Sequence, residues 1–288
     1  VQTVSFNSFL ERVFAKRWIA GARIIDAIND AKRFNRFGTA AIINYLGEEF
    51  RTQNDVENAV AVYLALIDSI KANRLKADIS VKPTQLGLFI SKDLFARSLH
   101  RIVRKAYSKG VFVWIDAEAP DTVENTMRAY LNEHIRSKHD IGICVQSYLK
   151  SSSDYLKQIV IANGIVRLVK GAYPLSKYTF STKEEINKNY IRLMLYLFKH
   201  SKEFTIATHD LAIIEKALNL NGAYKRRVTY AMLNGVRNKV IKQLALQGES
   251  TSVYIPFGEE WISYSYRRLK EAGHLSIIIK SLFEDQGV

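Results

Sequence analysis

Ile165-Val166-Arg167-Leu168-Val169-Lys170-Gly171-Ala172-Tyr173 opens with five residues of strand character and closes on a charge, a glycine and an aromatic ring. After it, Lys183 to His200 carries apolar residues at helical spacing. This unit, a short branched apolar run and then a longer amphipathic stretch, repeats along the chain. The other short runs are Thr39–Ile43, Asp78–Val81, Val111–Ile115, Ile141–Val145, Thr205–Ala207, Val228–Met232 and Ser252–Ile255. The long stretches are Val56–Ala72, Ser91–Ser108, Thr122–Ser137, Ser153–Ala162, Leu211–Leu220, Asn238–Leu246 and Glu260–Leu282. Buried strands alternating with helices predict a parallel sheet covered by helices. Eight such pairs in roughly 250 residues predict an α/β fold of the (β/α)8 TIM-barrel type, with an open doubly wound sheet as the competitor.

The prolines and glycines form no linker, and no low-complexity tract or shift in composition divides the chain. The expectation is one barrel domain over residues 1–288, with residues 1–36 as a helical extension. The segment Phe6–Arg33 reads as two helices, and its Glu11, Asp26 and Asp30 argue against an organelle transit peptide. Hydrophobic residues make up 48% of the sequence, enough for a large core, and no apolar run reaches the ~20 residues a membrane span needs. Cys144 is the single cysteine, so an intrachain disulfide and a cysteine-built metal site are excluded, and a reducing, cytoplasmic compartment is expected. The net charge of +14 reads first as a solvated basic surface and second as attraction to an anionic membrane face. No nucleic acid is expected, because no long run of like charge and no basic stretch interleaved with aromatics occurs.

A barrel carries its function where strands end and the following loops begin. Those positions are Lys82, Asp116, Gln146, Lys170 with Gly171, His209 and Tyr254. Arg167 interrupts an apolar strand, and an unpaired charge buried there would be very costly. It needs an anion, a polar ligand or a carboxylate; Lys170 and Gly171 beside it favour a ligand over an internal salt bridge. Asp116, in Trp114-Ile115-Asp116-Ala117-Glu118, suits a catalytic base, a metal ligand or an ion-pair partner of Lys82. In Thr208-His209-Asp210 an ordinary helix cap before Leu211 is the plainer reading. No His-x-x-x-His pattern supports a metal at His209, and no metal is expected. Arg267 and Arg268 lie about 100° apart on a helix and can grip one carboxylate from two sides. The alternative for Arg267 is a surface pair with Glu271. Glycine-rich dinucleotide and phosphate loops and the Gly-x-Ser-x-Gly elbow are absent.

The strings Arg-Leu-Val-Lys-Gly-Ala-Tyr (167–173), Ala-Thr-His-Asp (207–210) and Tyr-Ile-Pro-Phe-Gly-Glu-Glu-Trp (254–261) through Tyr-Arg-Arg-Leu (266–269) resemble the proline dehydrogenase family. Asn44-Tyr45-Leu46-Gly47-Glu48, Ser80-Val81-Lys82-Pro83 and Val145-Gln146-Ser147-Tyr148-Leu149 add to the likeness, which is to short, monofunctional members. The resemblance implies a distorted barrel that binds FAD at its strand C-terminal ends and oxidises L-proline by hydride transfer from C5 to flavin N5, the first step of proline catabolism. It assigns the proline carboxylate to Lys82, Arg267 and Arg268, the proline ring to Tyr254, and a partner for Lys82 to Asp116. It assigns FAD to Gln146, Arg167, Lys170, Gly171, Ala172, Thr208 and His209, with Arg167 beside the reactive part of the ring. A quinone as electron acceptor is a further implication. Peripheral contact with the inner face of a membrane is expected from the basic charge, and a homo-oligomer or a larger redox complex is left open. The family often has Glu-Phe-Gln-Met-Leu in its seventh strand, where this chain reads Thr229-Tyr230-Ala231-Met232-Leu233, so that strand is given no catalytic role. The alternative is another barrel enzyme that takes an anionic or phosphorylated substrate.

Overall fold

The structure is a computed structural model and describes residues 18–137 and 141–260. Eight parallel strands close into one barrel in sequence order. They are β1 (Ala40–Tyr45), β2 (Ala77–Val81), β3 (Val113–Ile115), β4 (Ile141–Gln146), β5 (Ile165–Val169), β6 (Glu203–Ala207), β7 (Arg227–Leu233) and β8 (Ser250–Phe257). β1 pairs with both β2 and β8, which leaves no free edge. Among the described residues one helix, α1 (Ile24–Asn35), precedes the barrel. Between the strands lie α2 (Gln53–Ala72), α3 (Lys92–Lys109), α4 (Val123–Ser137), α5 (Ser152–Ile161), α6 (Lys183–His200), α7 (Leu211–Tyr224) and α8 (Asn238–Leu246).

Local chemistry explains where these helices begin and end. Thr52, Ser91 and Thr182 stand at the N-caps of α2, α3 and α6 and accept backbone N–H groups from the first turn. At α6 the cap is reciprocal, since Glu185 reaches back to the Thr182 backbone. Gly110 ends α3 in the left-handed conformation, at φ 69°.

The observed strands run longer than expected at several ends. β1 continues through Asn44 and Tyr45 because Asn44 turns its amide onto the Ser80 carbonyl and the Tyr63 hydroxyl, which makes a polar residue affordable inside the sheet. β8 continues to Phe257, with Pro256 placed opposite Asn44 in its last turn of pairing. α7 runs on past Leu220 to Tyr224 and stops where Lys225 turns left-handed at φ 53°. Of the two helices expected before the barrel, α1 is seen and the remainder lies outside the described residues. So does the closing helix expected over 260–282 beyond residue 260.

The outer faces of the strands form the core against the helices. Ile43, Ile79, Val81, Ile115, Ile143, Leu168, Ile206, Val253 and Ile255 are all buried in it. The inner face is different. Side chains alternate along a strand, so the register brings Asp78, Ser80, Trp114, Asp116, Cys144, Arg167, Thr205 and Thr229 towards the barrel axis. TIM-barrel interiors are commonly filled by Val, Ile and Leu. Here a polar column rises from the bottom of the barrel to its mouth, and the site sits on top of it.

Candidate active site at the mouth of the barrel

Every predicted site residue that falls within the described residues lines one cavity of about 220 Å³: Lys82, Asp116, Gln146, Arg167, Lys170, Gly171, Ala172, Thr208, His209 and Tyr254. Arg267 and Arg268 lie outside the described residues. The cavity sits at the C-terminal ends of the strands, the functional face of this fold.

Arg167 is the centre of the arrangement. It is buried in mid-strand, and its Nη2 donates to the Asp116 carboxylate and, at 2.9 Å, to the Ser80 hydroxyl. Its Nε donates to Cys144 Sγ at 2.9 Å. The internal ion pair considered from the sequence is therefore formed, and it occupies one side of the guanidinium. The other terminal nitrogen, Nη1, is buried without a protein partner. A guanidinium cannot shed its charge, so that N–H edge needs an acceptor.

Asp116 is the acceptor that organises the mouth. Besides Arg167 it receives hydrogen bonds from Ser80 at 2.8 Å and from the Tyr254 hydroxyl at 2.7 Å. Burial alone would raise its pKa, but Arg167 and Lys82, together with the two hydroxyl donors, outweigh it and hold the carboxyl below its usual range. A carboxylate stabilised this way is a poor base. Of the roles open to Asp116, ion-pair partner and organiser fits its surroundings best. Among the described residues no cluster of His, Cys, Asp or Glu could hold a metal ion.

Lys82 reaches Asp116 at 3.9 Å, but its nearer partner is Glu48, at 2.9 Å. Burial works against the ammonium, while Glu48, Tyr173, Tyr254 and Asp116 outweigh it and raise its pKa well above the usual value. Lys82 is thus held charged at the cavity wall. Glu118, two residues beyond Asp116, accepts from the Thr84 backbone N–H and hydroxyl, both at 2.8 Å. Its burial pushes its pKa up to about 7 despite Lys82.

Gln146 donates through Nε2 to the Ala117 and Glu118 carbonyls at 3.1 and 3.2 Å, and its Oε1 is left buried without a partner. Lys170 is paired with Asp210 at 2.8 Å. Asp210 does stand at the N-cap of α7, and its carboxylate bonds Lys170 while the Ala212 and Ile213 N–H groups of the first turn also help to lower its pKa. Gly171 has φ 111°, and a Cβ there would lie 2.3 Å from the Tyr148 ring, so backbone alone fits between the ring and the cavity. The opposite wall is apolar, with Ala207, Ala231, Met232, Leu233 and Val236. The site therefore offers a charged wall and a flat apolar wall, which suits a ring system with a polar edge.

Several participants were not singled out by the sequence. Glu48 lies in the loop after β1, three residues past the strand end at Tyr45, and would have been found by the strand-end rule had that strand been extended to Tyr45. Ser80 and Cys144 follow from alternation, two positions before Lys82 and Gln146 on the same inner faces. Trp114 reads as a core residue, and nothing in its local sequence marks it otherwise. The apolar wall on β7 coincides with the divergent Thr229–Leu233 segment.

Known proteins bear out the reading of the motifs. A family model described as proline dehydrogenase matches residues 27–279. Proline dehydrogenase 1 of Bacillus subtilis (strain 168) is 29% identical over 278 residues, which covers 95% of this chain and 92% of that protein. Proline dehydrogenase of Deinococcus radiodurans is 29% identical over 266 residues, covering 89% and 86%. Among solved structures, proline utilization A from Bdellovibrio bacteriovorus, inactivated by N-propargylglycine, superposes with a TM-score of 0.85 at 20% identity over 96% of this chain. This chain spans 34% of that longer protein, so the likeness there is one of fold. The protein of the same name from Corynebacterium freiburgense gives a TM-score of 0.79 at 20% identity, over 96% of this chain and 33% of its own. By motif, by barrel and by a match over most of its length, the chain belongs to the proline dehydrogenase family.

Proposed function

We propose that this chain oxidises L-proline to Δ1-pyrroline-5-carboxylate, with FAD held in the cavity at the barrel mouth. The observation that carries this reading is the pair of unpartnered buried atoms, Arg167 Nη1 and Gln146 Oε1, one a donor and the other an acceptor, on the wall of one cavity. A flavin ring has both kinds of polar atom on its edge and an apolar face that matches Ala207, Ala231 and Met232. The residues present therefore fit the cofactor. Arg167 and Gln146 would hold the ring edge, Gly171 and Ala172 would let it approach the backbone, and Lys170, Thr208 and His209 would hold the remainder.

Bound FAD supplies a two-electron acceptor for the hydride that leaves C5 of proline. The chain's own part is to bind and orient. Lys82, kept charged by Glu48, is assigned to the proline carboxylate, together with Arg267 and Arg268 from the sequence motif. Tyr254 is assigned to the proline ring; its hydroxyl is fixed by Asp116, which sets the ring plane. Fixing the carboxylate on one side and the ring on another leaves C5 a single presentation, the positioning that a protein adds to cofactor chemistry. The ring nitrogen must give up a proton before or as the hydride leaves, because its lone pair forms the new C=N bond. With Asp116 held ionised by its donors, that proton is assigned to solvent rather than to Asp116. A quinone is the proposed final acceptor, and the basic surface favours an anionic membrane as the place to meet it. No helix among the described residues is long and apolar enough to cross a membrane.

The test is turnover. FAD-loaded protein should reduce an acceptor dye when L-proline is supplied, and not when glycine is. Protein that binds FAD yet shows no proline-dependent dye reduction would overturn the substrate assignment.

A further inference from the structure

Beneath Arg167 the barrel holds an indole. Trp114 on β3 faces Gly142 directly across the β3–β4 register, and a Cβ at Gly142 would lie 2.3 and 2.4 Å from two carbons of the indole ring. The missing side chain is what lets the indole lie across β4 and reach β5. There the Arg167 guanidinium rests over the ring, 5.0 Å from its centroid, with the Tyr254 ring on the guanidinium at 5.4 Å. Phe112 packs on the indole at 5.0 Å. The far end is tied down as well: Trp114 Nε1 donates to the Asp78 carboxylate at 3.1 Å.

Asp78 makes this arrangement consequential. It shares the inner face of β2 with Ser80, which is an Arg167 partner. Burial pushes its pKa up to about 6; Trp114, Arg167 and Lys76 pull it down and Glu203 pushes it up. At neutral pH it is a poorly solvated carboxylate within the field of Arg167. Two carboxylates, Asp116 above and Asp78 below, thus compete for one guanidinium, and the indole fills the space between Arg167 and the lower one.

We infer that Trp114 is a positioning residue: its indole, seated on Gly142, keeps the Arg167 guanidinium raised to the cavity and prevents it from dropping onto Asp78. The inference rests on the proposed function for what Arg167 touches in the cavity. A planar π face under a guanidinium attracts it without competing for its hydrogen-bonding edge. An aliphatic side chain gives no such seat.

The experiment has one arm with FAD and one without. In the first, FAD affinity of apo-protein is measured by flavin fluorescence for the parent, Trp114→Phe, Trp114→Leu and Trp114→Leu combined with Asp78→Asn. Phe should stay within about threefold of the parent, Leu should weaken binding about tenfold, and Asp78→Asn should restore the Leu variant. In the second, the Asp78 carboxyl is titrated in apo-protein by isotope-edited infrared spectroscopy. Its midpoint should be lower in Trp114→Leu than in Trp114→Phe, since both lose the indole donor but only Leu lets Arg167 pair with Asp78. Should Trp114→Leu not fold, tetrafluorotryptophan placed at position 114 alone keeps the shape and cancels the ring's attraction for a cation, and it should give the same two shifts in smaller measure. Unchanged FAD affinity in the Leu and fluorinated variants, or no rescue by Asp78→Asn, would overturn the inference. If the parent itself binds no FAD, the proposed function fails, and the titration arm still decides whether the indole holds Arg167 away from Asp78.

Discussion

The Tyr254 hydroxyl, on the last strand of the barrel, donates at 2.7 Å to the Asp116 carboxylate at the end of the third. The bond spans the mouth, and it joins the residue assigned to the substrate ring to the acceptor that holds Arg167. Tyr254→Phe keeps the ring and deletes the donor. Hydrogen bonds to charged groups contribute about 1.5–3 kcal/mol, so urea unfolding should show a loss of that order with an unchanged m-value. The proline KM should rise, because the ring is no longer fixed in rotation. Parental stability in this variant would mean that the hydroxyl does not contribute to holding the mouth together.

Removing Asp116 leaves the buried Arg167 charge without its counterion. Breaking one side of a buried pair costs about 3–5 kcal/mol, so Asp116→Ala should lower stability by that order. Asp116→Leu combined with Arg167→Met should recover most of it, since an apolar pair replaces both charges. Chemical denaturation of the parent and the two variants checks the set. A double variant no more stable than Asp116→Ala would show that the loss comes from packing rather than from the stranded charge.

Glu118 gives the protein a pH dependence opposite to that of most carboxylates. Its pKa is pushed up to about 7 by burial, above the ordinary 4.5. Between those values the folded protein keeps a proton that the unfolded chain has lost, so stability falls as pH rises through the window and is flat above it. The full effect is on the order of 3 kcal/mol. Glu118→Gln can still accept from the Thr84 N–H and donate to its hydroxyl, and it does not titrate. The variant should match the parent at pH 5 and exceed it at pH 8 in denaturant unfolding. An equal pH slope in both proteins would contradict the assignment.

The two kinds of arginine should separate in kinetics. Arg167→Ala removes the buried donor at the cofactor wall and should weaken FAD binding by at least tenfold, read by fluorescence titration. Arg267→Ala should leave the flavin spectrum intact and raise the proline KM by about a hundredfold, as expected when a charged hydrogen bond to a carboxylate is lost. A reversed pattern would exchange the two roles.

Much of this was legible from residue types alone. The alternation of apolar runs with amphipathic stretches carried the barrel, because parallel strands covered by helices are apolar at least on the face turned to the helices. The ends of those runs then pointed to Lys82, Asp116, Gln146 and Tyr254. Arg167 was conspicuous because a charge inside a strand demands a partner. What strand counting could not reveal was which partner each charge takes: Lys82 sits nearer Glu48 than Asp116, and Lys170 is engaged by Asp210. Those choices depend on barrel stagger, which places residues from different strands at one height. Trp114 stayed hidden for the same reason. A tryptophan in an apolar run looks like packing until the register shows a glycine opposite it and the Arg167 guanidinium lies over its ring.

The most direct test of the central claim is a visible spectrum of the FAD-loaded protein, recorded without oxygen before and after L-proline is added. The bound flavin's absorbance near ~450 nm should bleach when at least one equivalent of L-proline is added and return on admission of an acceptor. A flavin that binds and stays oxidised in saturating L-proline would contradict the account.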